Sequence, residues 1–225
     1  KSHGVNYAAA EVSSLELSDR EVRAVCLADG RKISCGCAVN AAGPAANLIA
    51  TMAHQSLPVE PRKRIVYVFD CREKATIINS PLFFDPNGVF CRPEGNYFLA
   101  GVSPPEDQDP ICTDFDVTYD LFEDIIWPTL ANRVPAFEAI KLVNAWAGHY
   151  AYNTWDQNAL LGPLPAVPNL YFANGFSGHG IQQSPAVGRA IAELITKGHF
   201  VSIDFSELAT ERLLTRHAVR EVNVF

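Results

Sequence analysis

The chain has 225 residues, 48% hydrophobic and 19% charged, enough for a real core in one large or two small globular domains. A formal net charge of −7 argues against a nucleic-acid partner. No apolar run suits a transmembrane segment, since the longest candidate, 38–53, is broken by Asn40, Gly43-Pro44 and Asn47. The first residue is Lys1 and the single methionine is Met52, so the sequence reads as a fragment or a processed chain without a visible signal or transit peptide. Cysteines stand at 26, 35, 37, 71, 91 and 112, and only Cys35-Gly36-Cys37 is closely spaced, too few for a four-ligand zinc site. A period of two puts that pair on one strand face as buried thiols, in keeping with reduced cysteines in an intracellular compartment.

In chain order, residues 5–17 and 21–27 read as strands about a polar turn at Ser18-Asp19-Arg20, and Asp29-Gly30 signals a hairpin into a third strand over 32–38. That strand ends on small residues, Ala41-Ala42-Gly43-Pro44, before a helix opens through 45–49. Small side chains there admit a phosphate or serve tight strand–helix packing. Residues 57–64, with Pro58, Pro61 and three basic side chains, read as a linker and a domain boundary. Short strands follow over 65–69, 75–78 and 82–84. Asp85-Pro86-Asn87-Gly88 is a turn, and 89–92 pairs with 97–102. Turns this short make the sheet antiparallel, with one face buried and the other free to wall a cavity. The acidic run 103–116 reads as a solvated loop. Residues 117–134 have helical period, kinked or split at Pro128; 139–148 is a strand, and 149–165 is polar and irregular. Arg212, Arg216 and Arg220, four apart, make either a basic helical stripe or, the favoured reading, a solvated terminal helix.

The most informative stretch is Asn169 to Lys197. An apolar strand over 170–173 meets Gly175, Gly178 and Gly180, and a helix follows, with Ser184 as the expected N-cap and Pro185 as its first position. Val187, Ala190, Ile191, Leu194 and Ile195 share one helical face, and Gly198 is the stop. Such a loop lets backbone approach a ligand, and the helix end beside it carries partial positive charge suited to an anion or an electron-rich heterocycle. Strand–glycine turn–helix also occurs with no ligand at all.

Gly175-Phe176-Ser177-Gly178-His179-Gly180, followed by Ile181 and Gln182, resembles the C-terminal flavin-binding segment of the D-amino-acid oxidase/sarcosine oxidase/dimethylglycine dehydrogenase family. The resemblance implies FAD as cofactor, with this loop at the flavin ring and the helix end at its pyrimidine side. It implies that Ala41, Ala42 and Gly43 end a strand near the diphosphate and ribityl chain, and that the backbone of Val12 approaches the adenine. Pro44-Ala45 replaces the family's small residue and Trp beyond Gly43. The implied fold is α+β or α/β: the C-terminal part of a two-domain flavoprotein, an incomplete FAD-binding domain joined to an antiparallel-sheet substrate domain. The expected boundaries are 1–57 for part of the FAD-binding domain, 58–155 for the substrate domain, 156–199 for the return and 200–225 for a tail. Asp156 is the expected turn-fixing carboxylate in the return.

The family's Gly-x-Gly-x-x-Gly strand–helix is absent from the chain, so the main diphosphate cradle is expected before Lys1. Gln182 stands where amine-oxidising members often place a lysine that pairs with a substrate carboxylate, and 97–101 lacks the lysine by which oxidases activate oxygen. The resemblance therefore implies a small amine or amino-acid substrate, with an electron acceptor other than oxygen or no turnover. His149 lies near the position of a covalent flavin link in some sarcosine oxidases, though a cavity-lining or surface histidine is the simpler reading. His179 reads as a loop brace. Ile126-Trp127-Pro128, Trp146-Ala147-Gly148 and Ser202-Ile203-Asp204 resemble a mitochondrial branch of the family linked to assembly of respiratory complex I. That likeness implies a mitochondrial location and complex I subunits or assembly intermediates as partners.

Overall fold

The computed structural model describes residues 4–222. Lys1, with which the expected first domain begins, and the last three residues of the expected tail lie outside them. The chain forms two compact units: one takes residues up to Glu60 and from Ala151 onward, the other Pro61–Tyr150.

The first unit holds two three-stranded sheets. β1 (Val12–Ser18), β2 (Glu21–Leu27) and β3 (Lys32–Ser34) form an antiparallel meander. The predicted first strand is shorter than 5–17, because it extends only where β2 offers partners, from Val12 opposite Leu27 to Ser18 opposite Glu21. The predicted third strand is two strands: β3 stays with β2, while β4 (Ala38–Asn40) leaves for the other sheet. Cys35 and Cys37 lie in the connection between them, half-buried and free, and not on one strand face. The helix α1 (Ala46–Met52) follows β4 and buries Ala46 and Ala50.

The second sheet runs β10–β11–β4, from β10 (Leu160–Leu164) and β11 (Val167–Asn174). β10 pairs antiparallel with β11, but β11 pairs parallel with β4, Tyr171 opposite Val39 and Phe172 opposite Asn40. Alternate residues serve opposite faces. Leu160, Leu170 and Phe172 join Leu15, Val22 and α1 in one core, while Leu161, Tyr171 and Ala173 pack with Val187 and Ile191 of α3 (Gly180–Lys197). Asn169 pins the sheets together: its Oδ1 accepts the Val22 N–H at 2.8 Å, and its Nδ2 donates to the carbonyls of Val22 and Gly36 at 2.8 and 2.9 Å.

The second unit is built on a five-stranded sheet of order β6–β7–β8–β5–β9. Its strands are β5 (Val59–Cys71), β6 (Phe83–Phe84), β7 (Phe90–Glu94), β8 (Tyr97–Gly101) and β9 (Ile140–Asn153). The pairs β6–β7 and β7–β8 run antiparallel, as their short turns require, and β8 pairs antiparallel with the more distant β5. The predicted turn closes with Asp85 N–H on the Val89 carbonyl, and Gly88 takes φ +89°. Residues 59–64 are the first half of a long strand, not a linker: Arg62 bridges to Ile111, which supplies the pairing that prolines and charges conceal in the sequence. Residues 149–153 and 160–164 are likewise strand, so only the turn between them is irregular. The predicted strand over 75–78 is a 3-10 turn, Lys74–Thr76. The helical stretch changes type just before Pro128: a π-turn over Phe122–Ile126 gives way to α2 (Trp127–Arg133), with Pro128 in the first turn of α2, where its missing N–H costs least. The core is aromatic. Phe69 stacks on Phe98 at 5.4 Å and meets Phe137 edge-on at 5.2 Å, with Tyr67 5.2 Å from Phe122.

Candidate functional site

The parallel pair β4–β11 creates the site. Parallel neighbours release their following loops on the same side of a sheet, and ligands of open α/β sheets bind outside those carboxyl ends. Here the loops are Ala41-Ala42-Gly43 after β4 and Gly175 to His179 after β11. The structure thus brings together two stretches 130 residues apart that the sequence offers as separate candidates. Ala41 and Ala42 are exposed, and Gly43 takes φ +56° with nothing within 4 Å of where a Cβ would sit.

Two asparagines, each the last residue of its strand, join the loops. Asn40 donates to the Ala46 carbonyl at 2.9 Å and accepts the Ala42 N–H at 3.1 Å, shaping the first loop. Asn174 Nδ2 reaches Asn40 Oδ1 at 3.5 Å. Both side chains are buried, and Asn174 Oδ1 has no hydrogen-bond partner. A buried amide oxygen with no donor is an open acceptor for a bound group. Nothing in the sequence singles out this pair, since each asparagine shows its role only once β4 and β11 lie side by side.

The second loop is held from behind. Gly175 takes φ +74°, and an added Cβ would lie 3.2 Å from both Asn153 Cβ and Val59 Cγ2, so only glycine fits. Ser177 is fully buried at φ +49°, a rare conformation for a residue with a side chain. Its N–H donates to the Ala151 carbonyl at 3.1 Å, and its Oγ accepts the Asn153 N–H at 3.0 Å. Ser177 is therefore a loop-forming residue. Gly178 takes φ +104° and is exposed, and His179 is the N-cap of α3 through its backbone, its N–H on the Phe176 carbonyl at 3.0 Å.

The helix begins five residues before the predicted Ser184-Pro185 start. Gln183 N–H donates to the His179 carbonyl at 3.2 Å, so the amides of Gly180, Ile181 and Gln182 precede the first in-helix bond. Pro185 lies inside the helix, where it cannot donate to the Ile181 carbonyl, and Ser184 Oγ takes that carbonyl instead at 2.9 Å. The local Ser-Pro signal loses to the glycine loop, which delivers the chain to the helix at Gly180. Its amino end thus abuts the loop, with Ile181 and Gln182 exposed. Gly198 stops the helix as predicted, at φ +78° with its N–H on the Leu194 carbonyl.

Other candidates lie elsewhere. Val12 belongs to the first sheet, opposite Leu27, and no strand pairing links it to the glycine loops. His149, in the second unit, has its Nε2 2.7 Å from the Asp114 carbonyl and its ring 4.4 Å from Phe115. The acidic run is only partly solvated: Asp109 is buried and takes both ends of the Arg64 guanidinium, at 2.9 and 2.8 Å. The Lys63 ammonium, 2.7 Å from Asp114, holds that carboxyl well below the usual range. Arg212 is not part of a solvated helix, since α4 (Arg212–Thr215) is one turn long and the Arg212 side chain is buried against Asp156. Among the described residues no cluster of three or more His, Cys, Asp or Glu could hold a metal, and no helix is long and apolar enough to cross a membrane.

The loops, the open Asn174 oxygen and the amides of α3 suit a flat, electron-rich group carrying donors and acceptors on its edge. A flavin fits that description. The residues that would hold it are Ala41, Ala42 and Gly43 on one side and Gly175, Gly178, His179, Gly180, Ile181 and Gln182 on the other.

Comparison with known proteins agrees. The model of the family described as FAD dependent oxidoreductase (DAO) matches residues 1–194. The chain is 47% identical over 193 residues to FAD-dependent oxidoreductase domain-containing protein 1 of Bos taurus, covering 80% of this chain and 40% of that protein. It is 41% identical to the Xenopus laevis protein of the same name, over 87% of this chain and 42% of that one. The chain therefore spans about two fifths of the length of these curated relatives. Among solved structures, L-proline dehydrogenase from P. horikoshii superposes with a TM-score of 0.82 at 26% identity, over 93% of this chain and 55% of that one. Glycine oxidase from Bacillus cereus shares the fold at a TM-score of 0.72 and 20% identity, over 95% and 53%. The fold is shared with about half of each of these solved chains, and the chain belongs to the FAD-dependent oxidoreductase family, whose cofactor is FAD.

Proposed function

We propose that this chain supplies the ring-side wall of the FAD site in an oxidoreductase that takes two electrons from a small amine or amino acid. The observation that carries the reading is the juxtaposition of Ala41–Gly43 with Gly175–Gln182 at the carboxyl ends of one parallel strand pair, joined by Asn40 and Asn174. Bound FAD supplies the electron acceptor. The amides of Gly180, Ile181 and Gln182, at the positive end of an 18-residue helix, favour negative charge beside them and so favour the reduced cofactor. Gln182 offers a hydrogen bond without charge, so carboxylate recognition does not rest on this position. In the whole protein, FAD should be released on denaturation, and its visible band should bleach anaerobically with N-methyl amino acids or cyclic imino acids. A colourless whole protein that takes up no added FAD overturns the reading.

A second reading keeps the flavin and drops the turnover. It has the protein act in mitochondria on assembly intermediates of respiratory complex I. Support comes from the resemblance of Ile126-Trp127-Pro128, Trp146-Ala147-Gly148 and Ser202-Ile203-Asp204 to that branch of the family, from Gln182 in place of a lysine, and from the absence of lysine in Tyr97–Gly101. Flavin that no amine bleaches, in protein that co-purifies with complex I subunits from mitochondria, favours this reading. Bleaching without such partners favours the first.

A further inference from the structure

The family match ends at residue 194, yet a chain of buried polar contacts runs from the glycine loop into the segment beyond it. The chain starts at Ser177, whose Oγ accepts the Asn153 N–H at 3.0 Å. Asn153 Nδ2 donates to Asp156 Oδ1 at 2.8 Å and to the Asn158 carbonyl at 2.6 Å, and Asn153 Oδ1 accepts the Trp155 N–H at 3.0 Å. Asp156 Oδ2 in turn accepts Arg212 Nη1 and, at 2.9 Å, the Val219 N–H. Arg212 Nη2 also donates to the carbonyls of Asn158 and Ala159 at 3.2 and 2.8 Å, and its guanidinium lies 5.1 Å from the Trp155 ring. Ser177, Asn153, Asp156 and Arg212 are exposed by 0, 0, 1 and 4%.

Two features give this chain a direction. Ser177 holds a left-handed backbone that a side chain disfavours, and such a conformation persists only where the surroundings over-determine it. The surroundings here are Asn153 and Ala151, the residues that the turn at Asp156 fixes. Asp156 is a buried carboxylate, stable as a charge only with its cation and donors in place. Arg212 and Val219 provide them, both from the tail. Two further bonds strap the tail to the same turn: Asn158 Nδ2 donates to the Val219 carbonyl at 3.2 Å, and Glu221 N–H donates to the Asp156 carbonyl at 2.9 Å.

We infer that the C-terminal segment from Arg212 to Glu221 is the positioning element of the flavin loop, with Arg212 acting through Asp156 and Asn153 on Ser177. The inference rests on the function proposed above in so far as that loop meets FAD. Arg212 touches neither cofactor nor substrate; it sets the geometry of the backbone that does. Loss of its charge leaves Asp156 unpaired, the turn loosens, and the Gly175–Gln182 amides lose their fixed orientation.

The test uses the whole protein loaded with FAD, comparing Arg212→Gln with Arg212→Lys and with Arg220→Gln, which removes the same charge from an exposed tail position. Hydrogen–deuterium exchange of residues 175–182 and the FAD dissociation constant are measured together. Arg212→Gln should speed exchange in that loop and weaken FAD by about tenfold, the scale of coupling through a hydrogen-bonded network. Arg212→Lys should restore part of both, and Arg220→Gln should change neither. Should Arg212→Gln fail to fold, removal of residues 218–225 deletes the Val219 donor while keeping Arg212, and it should move both readouts in the same direction, by less. Faster exchange confined to residues 205–222, with loop and FAD affinity unmoved, overturns the inference. Wild-type protein that binds no FAD overturns the proposed function instead, and the loop exchange then still decides whether the tail braces it.

Discussion

Both units bury apolar cores, and they differ in the polar groups buried with them. Among the described residues, the buried polar side chains Asn40, Asn153, Asp156, Asn174, Ser177, Thr210 and Arg212 belong to the first unit, and Asp109 alone to the second. The second unit is held by ring packing of Phe69, Phe98, Phe122 and Phe137 across its sheet. Apolar packing is tolerant of conformation, whereas buried hydrogen bonds demand specific geometry. The difference teaches where the molecule needs accuracy: its polar core surrounds the glycine loop. Phe69→Ala should accordingly have the largest effect on stability alone, about 3–5 kcal/mol by loss of a fully buried ring. Urea unfolding would measure it. A cost below about 1 kcal/mol would contradict a close-packed aromatic core.

In the first unit the counterpart is Gly175→Ala. The left-handed backbone costs a side chain about 1–2 kcal/mol, and the contacts at 3.2 Å with Asn153 and Val59 add to that. The damage falls on the site, so FAD content of the whole protein should drop more steeply than the melting temperature. Equal FAD content in wild type and variant would separate the loop from the cofactor.

Each unit also holds groups whose titration sets where it loosens, and both hold depressed carboxyls, Asp114 in the second and Glu193 in the first. Burial pushes the Tyr67 hydroxyl and the Cys91 thiol of the second unit up to about 12. Both are neutral when protonated, so their contribution is complete below the unfolded values of 10.0 and 9.0 and is lost as pH climbs through about 12. In the first unit the Ser202 hydroxyl and the Ser202 and Val201 amides hold the Glu193 carboxyl down to about 2. That contribution is present above 4.5 and is lost as pH falls toward 2. Hydrogen exchange should find residues 198–202 losing protection as pH falls toward 2 and β5–β8 as pH climbs toward 12, and unchanged protection at both extremes would refute the assignment.

What the sequence made legible follows the same division. The strand Glu21–Leu27, the Asp85 turn, the β7–β8 hairpin and the α3 face of Val187, Ala190 and Ile191 are local patterns that appear where they were read, although Ile195, read on that face, is exposed. The misreadings arise where distant partners decide. Residues 59–64 look like a linker until Ile111 pairs with Arg62, and Arg212 looks solvated until Asp156, 56 positions earlier, takes its charge. The glycine loop is legible through the likeness of Gly175–Gly180 to the family's flavin-binding segment, since strand–glycine turn–helix alone also occurs with no ligand. Its partnership with Ala41–Gly43 is not, because parallel pairing of β4 with β11 leaves no local trace.

The smallest predicted effect concerns the helix start. Pro185 cannot donate to the Ile181 carbonyl, and Ser184 Oγ takes its place at 2.9 Å. Ser184 is exposed, so Ser184→Ala should cost about 0.5 kcal/mol or less, because water can donate to the abandoned carbonyl. The sharper expectation is in the coupling. In a Pro185→Ala background the backbone N–H of residue 185 returns to that carbonyl, and Ser184→Ala should then cost nothing. A double-mutant cycle by thermal unfolding would show the non-additivity, of about 0.3–0.5 kcal/mol, if the serine is there to replace the missing amide. Additive effects would mean that Ser184 acts on the helix by some other contact. The amides of Gly180–Gln182, the part of α3 that faces the loop, would then owe nothing to the Ser-Pro pair that first drew attention to this end of the helix.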